Sequence, residues 1–136
     1  MFSIPVTTNQ DDFENLLLNN EITILNLSYC RNITHIPINK NTLKIKKIFC
    51  CFCPNLKYIS NLDNLIDLKC WSCEDLKYIS NLNNLLTLDC HDCPNLEYIS
   101  DLNNVQEISC DDCPKLEYIQ YNSKLKTLKC SGSPDC

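Results

Sequence analysis

Four Cys-x-x-Cys pairs are the residues of this chain most suited to chemistry. Cys50 and Cys53, Cys70 and Cys73, Cys90 and Cys93, and Cys110 and Cys113 recur with sixteen residues between successive pairs. That spacing satisfies a zinc ribbon, in which four thiolates surround the ion tetrahedrally. His91 lies between Asp89 and Asp92, the residue types of an acid–base pair or a metal site. Cys51 could serve as a nucleophile, but no His-bearing unit adjoins it, and His35 sits in a separate stretch. Other chemistries are closed off. One glycine in 136 residues leaves nothing from which to build a glycine-rich phosphate loop. A net charge of −5 is a poor match to polyphosphate, so nucleic acid is not an expected partner.

Whether the cysteines bind metal depends on the compartment and on the elements that carry them. The amino terminus has neither the basic region nor the apolar run of a signal peptide, and no stretch approaches the roughly 20 apolar residues of a membrane span. The expected location is the cytoplasm, whose reducing conditions make the twelve cysteines thiols or metal ligands rather than disulfides. Thr8 or Asn9, then Asp11, Asp12 and Glu14, then Phe13, Leu16, Leu17 and Leu18, predict an N-capped amphipathic helix with acids in its first turn.

Beyond that helix the chain repeats. Residues 51–70 read CFCPNLKYISNLDNLIDLKC, residues 71–90 WSCEDLKYISNLNNLLTLDC, residues 91–110 HDCPNLEYISDLNNVQEISC and residues 111–130 DDCPKLEYIQYNSKLKTLKC. Reframed to begin at Ile45, Leu65, Leu85, Val105 and Leu125, each unit reads L-x-x-L-x-C-x-x-C-x-x-L-x-x-I followed by a turn. A degenerate earlier unit holds the same frame through Ile22, Leu25, Leu27, Cys30, Ile33 and Ile36. Such a unit buries nothing by itself; it must stack on its neighbours. The expected organisation is a capping helix over residues 1–21 and about six stacked strands over residues 22–136, in units starting near 22, 45, 65, 85, 105 and 125. The last strand lacks a polar cap in the sequence, so an uncovered carboxyl end, with end-to-end homodimerisation or self-assembly through it, is one expectation.

The motif is identified as a leucine-rich repeat with cysteine at its sixth and ninth positions. It resembles the compact repeats of bacterial injected effectors and, more, the cysteine-bearing repeats of giant-virus (mimivirus-like) proteins. The resemblance covers about residues 22–133. It implies an α/β solenoid: a right-handed superhelix, mostly β and coil, with a parallel β-sheet on its concave face and a short N-terminal capping helix. It also implies protein binding on that face, in the host cytoplasm if the protein is viral. The ligase domain of some bacterial effectors is absent from the sequence, and the first 20 residues are too short for an F-box, so neither activity carries over.

The repeat frame decides between the two uses of cysteine. Cys50, Cys70, Cys90, Cys110 and Cys130 fall at the sixth position, and Cys30, Cys53, Cys73, Cys93 and Cys113 at the ninth. Where the pairing lapses, Leu27 fills a sixth position and Ser133 a ninth. Leucine suits a core slot and serine a turn hydrogen bond, and neither binds zinc. Structural thiols are therefore the expectation and no cofactor is expected; zinc or iron on Cys50, Cys53, Cys70, Cys73, Cys90, Cys93, Cys110 and Cys113, in a structural or redox module, is the alternative. Stacked cysteines with parallel side chains are badly placed for disulfides. Cys51, at an outward seventh position, and Cys136 are expected to be exposed.

The third, fifth, seventh and eighth residues of each unit should face a ligand. Tyr29, Phe49, Phe52 and Trp71 cluster in the amino-terminal half beside Lys47 and Lys69; Asp89, His91, Asp92, Glu107, Asp111 and Asp112 follow. Exposed aromatic residues beside mixed charge have the composition of a binding hot spot. Trp71, Phe49, Phe52, Tyr29, Lys69, Asp89, His91 and Asp111 are the candidate partner-binding residues, with Trp71 the anchor. Tyr58, Tyr78, Tyr98 and Tyr118 form a second column, expected to shield the coil from its convex side. Asn64, Asn84 and Asn104 are expected to bond turn backbone between units. No insertion between units builds a water-excluding pocket, so catalysis is not expected.

Overall fold

A computed structural model describes residues 1–120 and 122–134. In chain order the elements are β1 (Phe2–Ser3), α1 (Gln10–Asn19), β2 (Ile24–Asn26), β3 (Lys47–Phe49), β4 (Tyr58–Ser60), β5 (Asp67–Lys69), β6 (Tyr78–Ser80), β7 (Thr87–Asp89), β8 (Tyr98–Ser100), β9 (Glu107–Ser109), β10 (Tyr118–Ile119) and β11 (Thr127–Lys129). They form an α/β solenoid with two parallel sheets. One runs β1-β2-β3-β5-β7-β9-β11 and the other β10-β8-β6-β4. Register advances by one repeat at each step: Ile48 pairs with Leu68, Leu68 with Leu88, Leu88 with Ile108 and Ile108 with Leu128.

The hydrophobic pattern explains why both sheets form. In β5, Leu68 is buried between the outward Asp67 and Lys69, and in β6 Ile79 is buried between Tyr78 and Ser80. Each is a strand with one inward residue, too short to be stable alone but paired on both sides by its neighbours. The tyrosine column is exposed, as the sequence predicts, and it is built on strands that the repeat frame does not reveal. Tyr58, Tyr78, Tyr98 and Tyr118 lie on strands of a second sheet, because Tyr-Ile-Ser alternates out, in, out with the period of β structure. His35 extends the column, bridging to Tyr58 with its ring stacked 5.8 Å away.

The first sheet has seven strands rather than six. Phe2 and Ser3 pair with Leu25 and Asn26, a two-residue strand with no periodicity to reveal it. The helix is as the sequence predicts: Asn9 caps it by accepting from the Asp12 N–H at 2.8 Å, and Phe13 and Leu17 turn inward to the core. Gln10 fixes it to the first unit, accepting from the Thr34 N–H at 2.9 Å and donating to the His35 carbonyl at 3.1 Å. At its far end the buried Asn41 donates to the Leu17 and Leu18 carbonyls at 3.1 and 2.8 Å. The longer step between the first two units is taken up by a 3-10 turn at Thr42–Lys44, whose start is held by the Asn39 side chain.

Asparagine does the work that glycine does elsewhere. Asn64, Asn84 and Asn104 donate to the carbonyls of Leu43, Asp63 and Asn83 at 2.6–2.7 Å, tying each turn to the previous one as expected. Asn61, Asn81 and Asp101 take the left-handed backbone conformation, with φ between 53° and 59°, which these short polar residues tolerate. The core runs unbroken from Ile4 to Leu116, and at the last unit Ile119, Leu125, Leu128 and Cys130 are only partly buried. Truncation costs should follow this gradient. Leu88→Ala, in mid-stack, should cost about 2–5 kcal/mol, and Leu128→Ala clearly less; urea denaturation of the two variants measures the difference.

Candidate functional site

The thiols make a ladder of hydrogen bonds through the core. Each ninth-position cysteine after Cys30 donates to the sixth-position carbonyl of the preceding unit: Cys53 to Leu27 at 3.1 Å, Cys73 to Cys50 at 3.0 Å, Cys93 to Cys70 at 3.3 Å and Cys113 to Cys90 at 3.3 Å; Cys30, in the first unit, points instead to the Ile4 and Pro5 carbonyls at 3.8 and 3.7 Å. Ser133 makes the same bond to the Cys110 carbonyl at 2.8 Å, which is why serine can stand in that column. Cys30, Cys50, Cys51, Cys53, Cys70, Cys73, Cys90, Cys93, Cys110 and Cys113 are free and buried. Burial pushes the thiols of Cys93 and Cys110 up to about 12 and those of Cys30 and Cys113 up to about 11, and raises Cys70 and Cys90 well above the ordinary range. Cys53 differs, because the Cys73 thiol beside it favours its anion, and Cys73 is raised in return. Protonated thiols are poor nucleophiles and poor metal ligands. Among the described residues no group of three or more His, Cys, Asp and Glu side chains is placed to hold a metal ion, so the geometry offers the zinc alternative no ligand set there.

Cys51 corrects the sequence reading. It was expected to be exposed, but it is 6% accessible, and its thiol donates to the Lys69 carbonyl at 3.5 Å. Burial raises it to about 12. Its seventh-position neighbour, Trp71, lines the same depression. Cys136 lies outside the described residues.

The outward columns carry the more informative arrangement. Four rings from four successive units lie in contact: Tyr29 on Phe52 (centroids 5.0 Å apart, planes 13°), Phe52 edge-on to Trp71 (4.6 Å, 74°) and Trp71 on His91 (5.2 Å, 10°). His91 Nδ1 is 2.6 Å from Asp89 Oδ1 and its Nε2 is 3.8 Å from Asp92 Oδ2. Lys69 reaches over the Phe49 ring at 5.9 Å, and Lys47 lies 3.7 Å from Asp67. A depression of about 420 Å³ between the columns is lined by Asp67, Lys69, Thr87, Asp89, Glu107 and Lys129 among others. A second, of about 360 Å³, lies at the amino-terminal end between Tyr29, Phe49, Lys69 and Trp71. Seven of the eight candidate residues are thus contiguous. Asp111 lies one unit further, its carboxylate accepting from the Ser131 N–H at 2.7 Å.

Backbone conformation adds a signal that the sequence reading missed. The eighth position of every unit is left-handed: Tyr29 (φ 69°), Phe52, Ser72, Asp92 and Asp112 (all 55°) and Gly132 (76°). Small or short polar residues occupy it at little cost, whereas a bulky ring there is an outlier costing about 1–3 kcal/mol. Tyr29 and Phe52 are also exposed, at 58% and 38%, so burial does not repay the strain. The signal was legible in principle, since Ser, Asp, Asp and Gly in the same column mark it as left-handed.

Two outcomes follow for the thiols. Cys73→Ser should cost less than about 1 kcal/mol, because its hydroxyl can keep the bond that Ser133 makes, whereas Cys70→Ser buries a hydroxyl in an apolar column and should cost about 1–3 kcal/mol by urea denaturation. The unfolded chain releases thiol protons from about pH 9 upward, while the folded chain holds them to 11 or 12. Stability complete below pH 9 should therefore fall progressively as the pH rises through 11 and 12, seen as a declining urea midpoint. Comparison with family models, curated proteins and solved structures finds no match to this chain.

Proposed function

We propose that the chain is a non-enzymatic interaction module of the leucine-rich-repeat type, which captures a partner protein on its seven-stranded sheet with Trp71 as the anchor and needs no cofactor to do so. The observation that carries this reading is the row of four touching rings on an outward face, two of them held in a backbone conformation that costs the fold stability. Strain kept at an exposed aromatic residue is explained by a use outside folding. Aromatic anchors beside charge are the usual centre of a binding hot spot. No described helix is long and apolar enough to cross a membrane. The likeness of the cysteine-bearing motif to giant-virus and effector repeats adds a finer version, in which the module acts on host proteins in the host cytoplasm.

The test compares two variants with the native chain in affinity capture, with folding monitored by circular dichroism and urea denaturation. Trp71→Ala should leave the fold intact and reduce capture at least tenfold, as expected of a hot-spot residue. Phe52→Asn exchanges ring packing for relief of strain, so its stability should change by less than about 0.5 kcal/mol, while capture weakens. Undiminished capture by both folded variants would remove the ring row from the site.

A further inference from the structure

We propose that the partner presents an extended basic segment, laid across the strands with an apolar or aromatic side chain on the Tyr29–Phe52–Trp71 rings and Lys or Arg side chains over Glu107, Asp111 and Asp112. This rests on the reading of the seven-stranded sheet as the binding face and adds the chemistry of the ligand. Charge along that face is polarised. At the ring end the cations are already engaged, Lys47 with Asp67 and Lys69 over Phe49. Beyond His91 the face turns acidic apart from Lys129 at its far end, and among the described residues Glu107, Asp111 and Asp112 have no Lys, Arg or His within 4 Å. Asp92 has only His91, at 3.8 Å.

The acids are also arranged against the interest of the fold. Asp92 and Asp112 occupy the same position of adjacent units, with the same φ of 55°, in the loops that follow β7 and β9, so the two positions lie roughly one strand spacing, about 4.8 Å, apart along the stack. Like charges at neighbouring positions repel. Among the described residues Asp92 has His91 as its only Lys, Arg or His within 4 Å and Asp112 has none, whereas a cation from outside would relieve both. The dimensions fit a short segment. From the unit of Tyr29 to that of Asp111 is four strand steps, β2-β3-β5-β7-β9, or about 19 Å at that spacing, which six extended residues span at roughly 3.3 Å each. A residue on Trp71 and a cation near Asp111 are two steps apart, the reach of about three extended residues. The rings themselves favour guanidinium and ammonium groups through their π faces.

Selection from a random library of twelve-residue peptides lacking Trp tests this directly, and Trp71, the chain's one tryptophan, reports binding by its fluorescence. The expected result is enrichment of Lys and Arg about three residues from an aromatic or large apolar residue, with affinity that falls as salt rises from 50 to 200 mM. Asp111→Asn with Asp112→Asn should weaken the selected peptides roughly 5- to 30-fold, the loss expected for two exposed ion pairs. The fold should survive, because Asn can still accept from the Ser131 N–H and tolerates a left-handed backbone. Glu97→Gln with Glu117→Gln, on the other sheet, should leave binding unchanged. Selection of acidic or neutral peptides that still depend on Trp71 would overturn the basic segment and leave the face standing. Binding indifferent to Trp71→Ala would overturn the face itself, and no selected peptide, or no effect of the Asp111 and Asp112 changes, would overturn this inference.

Discussion

The hydrogen bond from each ninth-position side chain to a carbonyl one unit back is the contact on which the stack depends. The bend between the two strands of a coil leaves the sixth-position carbonyl pointing into an apolar interior, where an unpaired oxygen costs on the order of 1–3 kcal/mol. A residue small enough for that corner, apolar enough for the core and still able to donate satisfies it, and cysteine meets all three conditions. Cys53, Cys73, Cys93 and Cys113 meet them with the thiol, and Ser133 with a hydroxyl. The two cysteine columns thus differ in kind. The sixth position admits Leu27 in the core, although Cys110 there also donates to the Lys129 carbonyl at 3.4 Å; the ninth position closes the bond to the unit before.

From that register comes the outward face of the seven-stranded sheet. When every unit lies directly upon the last, outward residues of equal position become neighbours, and a side chain is chosen against its equivalents in the adjoining units. The ring row and the acidic stack are both products of this. One is attractive and cohesive, the other repulsive, and they occupy opposite halves of the same sheet. The same columns on the other face carry the stacked Tyr78 and Tyr98 rings and a Tyr98 hydroxyl bonded to Glu117, where charge and aromatic surface are interleaved rather than segregated.

Much of this was legible in the sequence because a repeat states its frame several times over. The strand centres Ile48, Leu68, Leu88 and Ile108, the capped helix at Asn9 and the asparagine bonds between turns follow from spacing alone. What was not legible depended on partners outside the frame. Phe2 and Ser3 become a strand only because β2 offers an open edge. Cys51 is outward by its position, yet it is 6% accessible, its thiol turned to the Lys69 carbonyl of the next unit. The second sheet was hidden by shortness: Tyr-Ile-Ser has one inward residue, and three residues cannot distinguish a strand from a turn without their neighbours. The eight candidate residues lie on one face as the frame requires; the strain beneath Tyr29 and Phe52 is signalled only indirectly, by Ser72, Asp92, Asp112 and Gly132 in the same column.

Because each backbone partner in the regular stack lies one 20-residue unit away, the chain has an arithmetic that most folds lack. Losing or gaining a single residue within a coil would shift every downstream donor off its acceptor, whereas duplicating a whole coil would leave each bond with an equivalent partner. Only the first coil escapes, its extra length absorbed by the turn at Thr42–Lys44. Lineages carrying such a molecule can therefore lengthen or shorten their outward surface in whole steps, copying a coil entire and then altering its four outward residues one at a time while the interior stays fixed.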